Sequence, residues 1–267
     1  MHARFRHLLC PADRVRYAIW RALGARYTFR CRFKNGPRIS IRPHPSEDYN
    51  TAYDVFRRGI YDLNLEAESV RRVVDLGGNV GYTCILWCWQ YPDARVLTFE
   101  PNPKHYQILN WHLDVNHYRG RVQAIEAAAA SRDDTAVLLD ADVWSRVLVG
   151  SGAPGERSYE VRRCDFFSFV GQEPIDIFKM DIEGGEYELM TDPRFDAVAR
   201  KCRTIVMEWH TLEPGHLGGQ WCMNRLRALN FEVVEKYPAG NIGLLIAQRS
   251  TNRSGDAPPL QESVERR

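Results

Sequence analysis

At 267 residues the chain has room for one large domain, or a domain with an extension, and it can bury a full core without staples. Its 44% hydrophobic, 26% charged and 11% aromatic content is that of a globular protein and excludes collagenous, disordered and membrane-embedded classes. The net charge of +2 hides an asymmetry: residues 1–42 hold eleven basic side chains against Asp13 alone, a surplus of +10 that leaves −8 for the rest. Such an arm suits an anionic partner, either nucleic acid or a membrane carrying acidic lipids, unless it is a solvated face whose stems pack on the domain.

The N-terminus has no continuous apolar run of the signal-peptide kind, so the chain is expected to begin here and to work in the cytoplasm. A helix is expected from Pro11 to Leu23, where Val15, Ile19 and Leu23 recur at spacing four; it either lies on a bilayer or caps the core. The stretch PRISIRPHP reads as a strand with Ile39 and Ile41 on one side, followed by a helix over 50–58. Seven cysteines with no CxxC pair predict reduced thiols, and Cys84 and Cys88, one helical turn apart, read as core residues rather than a metal pair.

From Arg71 to Arg249 short apolar runs alternate with amphipathic segments, the pattern of βαβ units and a parallel sheet covered on both faces. The expected strands are RVVDLG, RVLTFEP, VQAIEAAA, IDIFKMDIE and RTIVMEWH, with helices over 80–90, 103–116 and 219–229. FEVVEKYP and IGLLIAQ, split by a turn, read as an antiparallel hairpin at the sheet edge. The tail after Arg249 is expected to be disordered.

The first strand runs into Asp75-Leu76-Gly77-Gly78-Asn79-Val80-Gly81, a glycine turn at the carboxyl edge where open α/β sheets bind ligands. Its glycines do not fit G-x-G-x-x-G from any starting point, which argues against NAD, and a carboxylate two residues before the first glycine favours a ligand carrying a cation over a pyrophosphate. Glu100, at the tip of the second strand and 19 residues beyond Gly81, is placed to accept both hydroxyls of a ribose.

These segments carry a resemblance. VVDLGGNVGYT, TFEPNP with the helix that ends LDVN, and DIFKMDIEGGEYELM are similar to the hallmarks of the FkbM family of S-adenosylmethionine-dependent methyltransferases, over residues 71–210; RPHPSEDYN…FRRGIYDL resembles the family's lead-in. The resemblance implies an α/β class I methyltransferase fold, Rossmann-like, with a seven-stranded, mostly parallel sheet, a C-terminal antiparallel hairpin and helices on both faces. Residues 71–249 would form the cofactor-binding domain, after a basic extension over 1–70 and before the tail 250–267. Asp75, Gly77 and Gly81 would line the methionine end of S-adenosylmethionine, Asn79 would shape the turn, Glu100 would hold the ribose, Asn102 would lie near the adenine, and Ala127 within Ile125–Ala128 would flank it.

In the strand 175–181, period two sets Lys179 and Asp181 on one face, with Asp181 at the carboxyl edge beside the expected position of the methyl group. A lysine buried in a sheet must be paired, so Lys179 reads as a structural ion pair. Methylating a hydroxyl asks for in-line placement and a general base; Asp181, Glu183, Glu208 and His210 are the candidates, His210 having the best-matched ordinary pKa and Asp181 the safest proximity. The same four residues offer oxygen and nitrogen donors, yet nothing in their spacing demands a metal. Trp144, Trp209 and Trp221 fall near the rim, and of these Trp209 alone is positioned to meet a sugar face; the irregular piece 141–158, with Ser145 and Arg146, would shape an acceptor pocket.

The resemblance implies methylation of a sugar hydroxyl in a glycan, glycolipid or secondary metabolite, and the basic arm over 1–42 would bring such an enzyme to the inner face of the cytoplasmic membrane. The rivals are a nucleic-acid methyltransferase using that arm for phosphates, which two carboxylates at Asp181 and Glu183 oppose, and a binding module that keeps the fold without turnover.

Overall fold

The computed structural model describes residues 5, 7–141, 144–148, 158–211 and 218–250. A helix over Pro11–Ala22 leads into a two-stranded antiparallel ribbon, β1 (Phe29–Arg32) and β2 (Arg38–Ile41). The expected helix over 50–58 divides into an α-helical turn, Asp48–Tyr53, and a π-helical one, Asp54–Arg58, which ends on the left-handed Gly59.

The main sheet holds seven strands: β3 (Arg72–Leu76), β4 (Arg95–Phe99), β5 (Val122–Ile125), β10 (Ile175–Met180), β11 (Cys202–His210), β12 (Phe231–Ala239) and β13 (Ile242–Arg249). Their order is β12-β13-β11-β10-β3-β4-β5, the five from β11 to β5 parallel and β13 antiparallel to both of its neighbours. The connections change direction between β3 and β10, which makes their carboxyl ends the topological switch point.

Alternation along each strand divides the core in two. Val73, Val96, Val122, Ile177 and Val206 face one cluster, roofed by the helices Tyr82–Gln90 and Pro103–Val115. Val74, Leu97, Phe99, Phe178, Met180 and Met207 face the other, under the helices Glu186–Thr191, Phe195–Ala199 and Gly218–Ala228. Phe5, Leu9, Tyr17, Trp20 and Phe29 belong to the first cluster, so the N-terminal segment covers a face of the sheet. It is tied down through His112, whose Nε2 accepts the Ser40 N–H at 2.8 Å while Nδ1 donates to the Val80 carbonyl at 2.6 Å. Burial lowers the pKa of this ring to about 4, so it stays neutral and can play both parts.

A second sheet of four strands lies beyond β5. Its order is β6-β9-β7-β8, from β6 (Ala128–Ala130), β7 (Asp134–Ala141), β8 (Trp144–Leu148) and β9 (Ser158–Asp165). The expected strand VQAIEAAA breaks after Ile125, because the chain leaves the main sheet there and Ala128–Ala130 pair with β9. The piece 141–158, expected to be irregular, is in part the ordered strand β8, paired with β7; the side chains of Trp144, Ser145 and Arg146, and residues 149–157, lie outside the described residues, as does the tail from 251. All seven cysteines are free thiols, Cys84 and Cys88 inside the first cluster. No helix among the described residues is long and apolar enough to cross a membrane.

Candidate active site at the switch point

The glycine turn is held from both sides. The N–H groups of Gly77 and Gly78 donate to the Phe99 carbonyl at 3.1 and 2.9 Å, joining the turn to the tip of β4, and Asp181 N–H donates to Leu76 at 3.1 Å, joining it to β10. Gly77 has φ 81, and a Cβ there would collide with the Asp181 carbonyl oxygen; only glycine lets the tips of β3 and β10 meet. Gly81 opens the helix Tyr82–Gln90 from a left-handed φ of 92°, and a Cβ on it would meet Leu109 of Pro103–Val115 at 3.1 Å.

Glu100 stands buried beside this turn. One carboxylate oxygen accepts the Asn79 N–H and the other the Asn102 N–H, both at 2.7 Å, and Asn79 presents its amide from a left-handed φ of 48°. Burial pushes Glu100 up to about 7 against the pull of those two amides. The oxygen that binds Asn79 keeps a lone pair for a second donor, while His105 Nδ1 lies 3.8 Å from the oxygen that binds Asn102.

Lys179 organises the next layer. Its buried ammonium lies 3.2 Å from Asp75 and 3.5 Å from Asp181 and donates to the Gly77 carbonyl at 3.0 Å. Burial opposes its charge, but Asp75, Asp181 and Glu208 more than offset that and hold the pKa above the ordinary lysine value. Asp75 also accepts the Thr83 hydroxyl at 2.6 Å and has no exposed surface, so it supports the turn from beneath rather than lining it.

Around the rim, β10 and β11 deliver four ionisable groups and a loop adds to them. Glu186, wholly buried, accepts the N–H groups of Ile182 and Gly184 at 2.9 and 2.8 Å and meets His210 Nδ1 at 3.2 Å. It thereby shapes the loop in which Glu183 takes a φ of 52° and comes 3.5 Å from His210 Nε2. Burial works against a charge on His210, but the hydrogen bond and charge of Glu186, with Asp181 and Glu183, outweigh it and push the ring up to about 10. This environment favours the imidazolium, a form with no lone pair to take a proton, and so speaks against the expectation of His210 as the base. Glu183 and Glu208 are both pushed up to about 7, by burial first and by the Asp181 charge next. Glu208 accepts the hydroxyl of the buried Tyr61 at 2.8 Å.

Tyr61 and the tie between Glu186 and His210 are not legible in the sequence, although Glu186 itself stands there as the residue that opens the helix after Gly184-Gly185. Tyr61 lies 147 residues from its partner, which no local pattern could reveal, whereas the glutamate opening a helix after Gly-Gly is a recognisable loop anchor. Other expected site residues play structural parts. Asn102 is fully buried and its side chain accepts Lys104 N–H at 3.0 Å as the N-cap of Pro103–Val115. Ala127 is fully buried and its N–H is taken by the Ile125 carbonyl. Trp209 is core: its indole lies against Gly219 and Gly243 and donates to Glu235 at 3.0 Å, which removes it as a sugar platform. Asp181, Glu183 and His210 offer ligand atoms within 4.8 Å of one another, but a metal there would first have to displace the His210 proton.

The raised His210 pKa has a sign. The charged ring stabilises the fold in full below its ordinary value, near 6.5, and that contribution disappears as pH rises through about 10. Thermal melts of wild type and His210→Gln should therefore differ most at pH 6 and converge by about pH 10; a constant gap would refute the charged assignment.

With the geometry established, comparison places the chain. The profile of the methyltransferase FkbM domain matches residues 75–233, more than half of the sequence, and the chain belongs to that family. Methyltransferase sdnD of Sordaria araneosa is 31% identical over 83 residues, so the match spans 31% of the length of this curated relative and 31% of this chain. Among solved structures, an O-methyltransferase family protein of Burkholderia thailandensis is similar over 76% of this chain and 59% of its own, with 13% identity and a TM-score of 0.43. Precorrin-6y C5,15-methyltransferase of Geobacter metallireducens is similar over 71% of this chain and 85% of its own, with 16% identity and a TM-score of 0.42. Family and sheet order together make the fold the Rossmann-like class I methyltransferase α/β fold.

Proposed function

We propose that this protein transfers a methyl group from S-adenosylmethionine to a hydroxyl of a sugar, in a glycan, a glycolipid or a secondary metabolite. The observation that carries the reading is the charge balance at the switch point. Lys179 is matched by Asp75, and His210 by Glu186, which leaves Asp181, Glu183 and Glu208 as a surplus of carboxylates at one rim. Such a surplus suits a cationic ligand and opposes a phosphate, which disfavours NAD and nucleic acid alike.

The residues present suit the cofactor: a glycine turn that brings backbone close, a buried carboxylate at the β4 tip, and the negative rim. When bound, S-adenosylmethionine supplies an electrophilic methyl on a positively charged sulfur. Glu100 would accept the ribose hydroxyls, the Gly77–Gly78 backbone would face the chain linking ribose and sulfur, and Asp181 would attract the cationic end. Glu183 is the base of this account. Its carboxyl is partly open, titrates near neutrality and is steadied by His210; it would take the proton that the acceptor hydroxyl gives up on methylation. His210, already charged, holds Glu183 in place.

Radiolabelled S-adenosylmethionine incubated with monosaccharides, lipid-linked sugars, RNA and amine acceptors tests the reading. Label should enter a sugar hydroxyl and stay undiminished when a chelator is added; transfer to RNA or an amine, or loss with the chelator, would contradict it.

A further inference from the structure

The helix Pro11–Ala22 has two apolar faces. Tyr17 and Trp20, with Asp13, point into the core. Opposite them Val15, Ala18, Ile19, Ala22 and the C-cap Leu23 are all exposed, Val15 by 62%, Ile19 by 52% and Leu23 by 59%, and Tyr27 beyond the helix by 51%. At 3.6 residues per turn these five helix positions fall within an arc of about 140° that contains no polar residue. Arg16 borders the arc on one side and Arg21 on the other, both exposed. A surface helix of a globular protein ordinarily places polar side chains there.

The charges that border this ridge within the N-terminal segment are basic. Arg16 and Arg21 on the helix and Arg26 just past its end are exposed, and the only acid among residues 1–42, Asp13, is buried where it accepts the Arg32 N–H at 2.7 Å and pairs with Arg16. A phosphate-binding nucleic-acid surface has no use for an aliphatic ridge at its centre, whereas a lipid surface needs both parts: apolar side chains for the boundary between headgroups and acyl chains, and cations for the headgroup phosphates.

We propose that this face docks on the surface of an anionic lipid bilayer, with Val15, Ile19, Leu23 and Tyr27 entering the interface and the surrounding arginines pairing with lipid phosphates. The inference stands apart from the methyl-transfer reading, since none of these residues belongs to the site.

Flotation of the full chain with vesicles tests it, using phosphatidylcholine alone and phosphatidylcholine mixed with phosphatidylglycerol, at low and high salt. The chain should float with the anionic vesicles, less so at high salt, and not with the neutral ones. Ile19→Asp with Leu23→Asp should lower the bound fraction by roughly tenfold or more while the melting temperature holds, because both side chains are exposed; Arg21→Glu with Arg26→Glu should remove most of the salt-sensitive part. Absence of binding, equal binding to both vesicles, or a folded double aspartate variant that binds like wild type would overturn the proposal. So would RNA binding without vesicle binding, or a dimer in light scattering that the aspartates dissolve while no vesicles are bound.

Discussion

Replacing Lys179 with methionine is expected to lower stability by about 3–5 kcal/mol, the cost of leaving a buried charge without its partner. At this chain length that corresponds to a fall in melting temperature on the order of 10 °C. Asp75 is the reason: it has no exposed surface, and apart from the Thr83 hydroxyl and the Cys84 thiol its compensation is the ammonium at 3.2 Å. Asp181 reaches solvent and would lose less. Combining Lys179→Met with Asp75→Asn should therefore recover most of the loss, since the amide oxygen can still accept from Thr83. Circular-dichroism melts of both single variants and the double variant supply the cycle; additive losses would show that the pair is not coupled.

Glu183→Gln is expected to reduce kcat by about 10²–10⁴, the range for removing a general base, while leaving S-adenosylmethionine affinity within about twofold. The same assignment requires the wild-type rate to rise with pH and level off above about 7, because the carboxyl must shed its proton before it can take one. Glu208→Gln should have a smaller effect, since that carboxylate is already engaged by Tyr61. Single-turnover methyl transfer separates the two, and a fast Glu183→Gln beside a slow Glu208→Gln would move the base to β11.

The centre of this architecture is legible in the sequence because physics leaves few choices there. Strands covered on both faces must be apolar along their length, so VVDL, VLTF and IDIFKM stand out, and a lysine inside one of them announces a buried pair. The glycine turn is readable because Gly77 answers to a steric demand. The N-cap role of Asn102 is readable too, since an asparagine followed by proline at a helix start is a capping signal.

What stays hidden depends on distance in sequence. His210 could be placed at the rim, but its charge is set by Glu186 on another element, so its ordinary pKa misleads. The second sheet is obscured because the adjacent Arg162 and Arg163 break the period-two pattern of β9, and β6 is a three-alanine strand that looks like the end of β5. The stripe of Val15, Ile19 and Leu23 was visible as a period; that it faces outward follows only from Tyr17 and Trp20 filling the core.

The central claim is that the turn at Gly77 and the carboxylate of Glu100 form a seat for S-adenosylmethionine. Calorimetric titration of the full chain with this cofactor, with S-adenosylhomocysteine and with NAD tests it most directly, alongside Glu100→Ala and Glu100→Gln. The account predicts binding of both sulfur ligands and not of NAD, weakened about 100-fold in Glu100→Ala, where two charge-assisted hydrogen bonds are lost, and by less in Glu100→Gln. Unchanged affinity in a folded Glu100→Ala variant, or a wild type that binds NAD in preference, would contradict it.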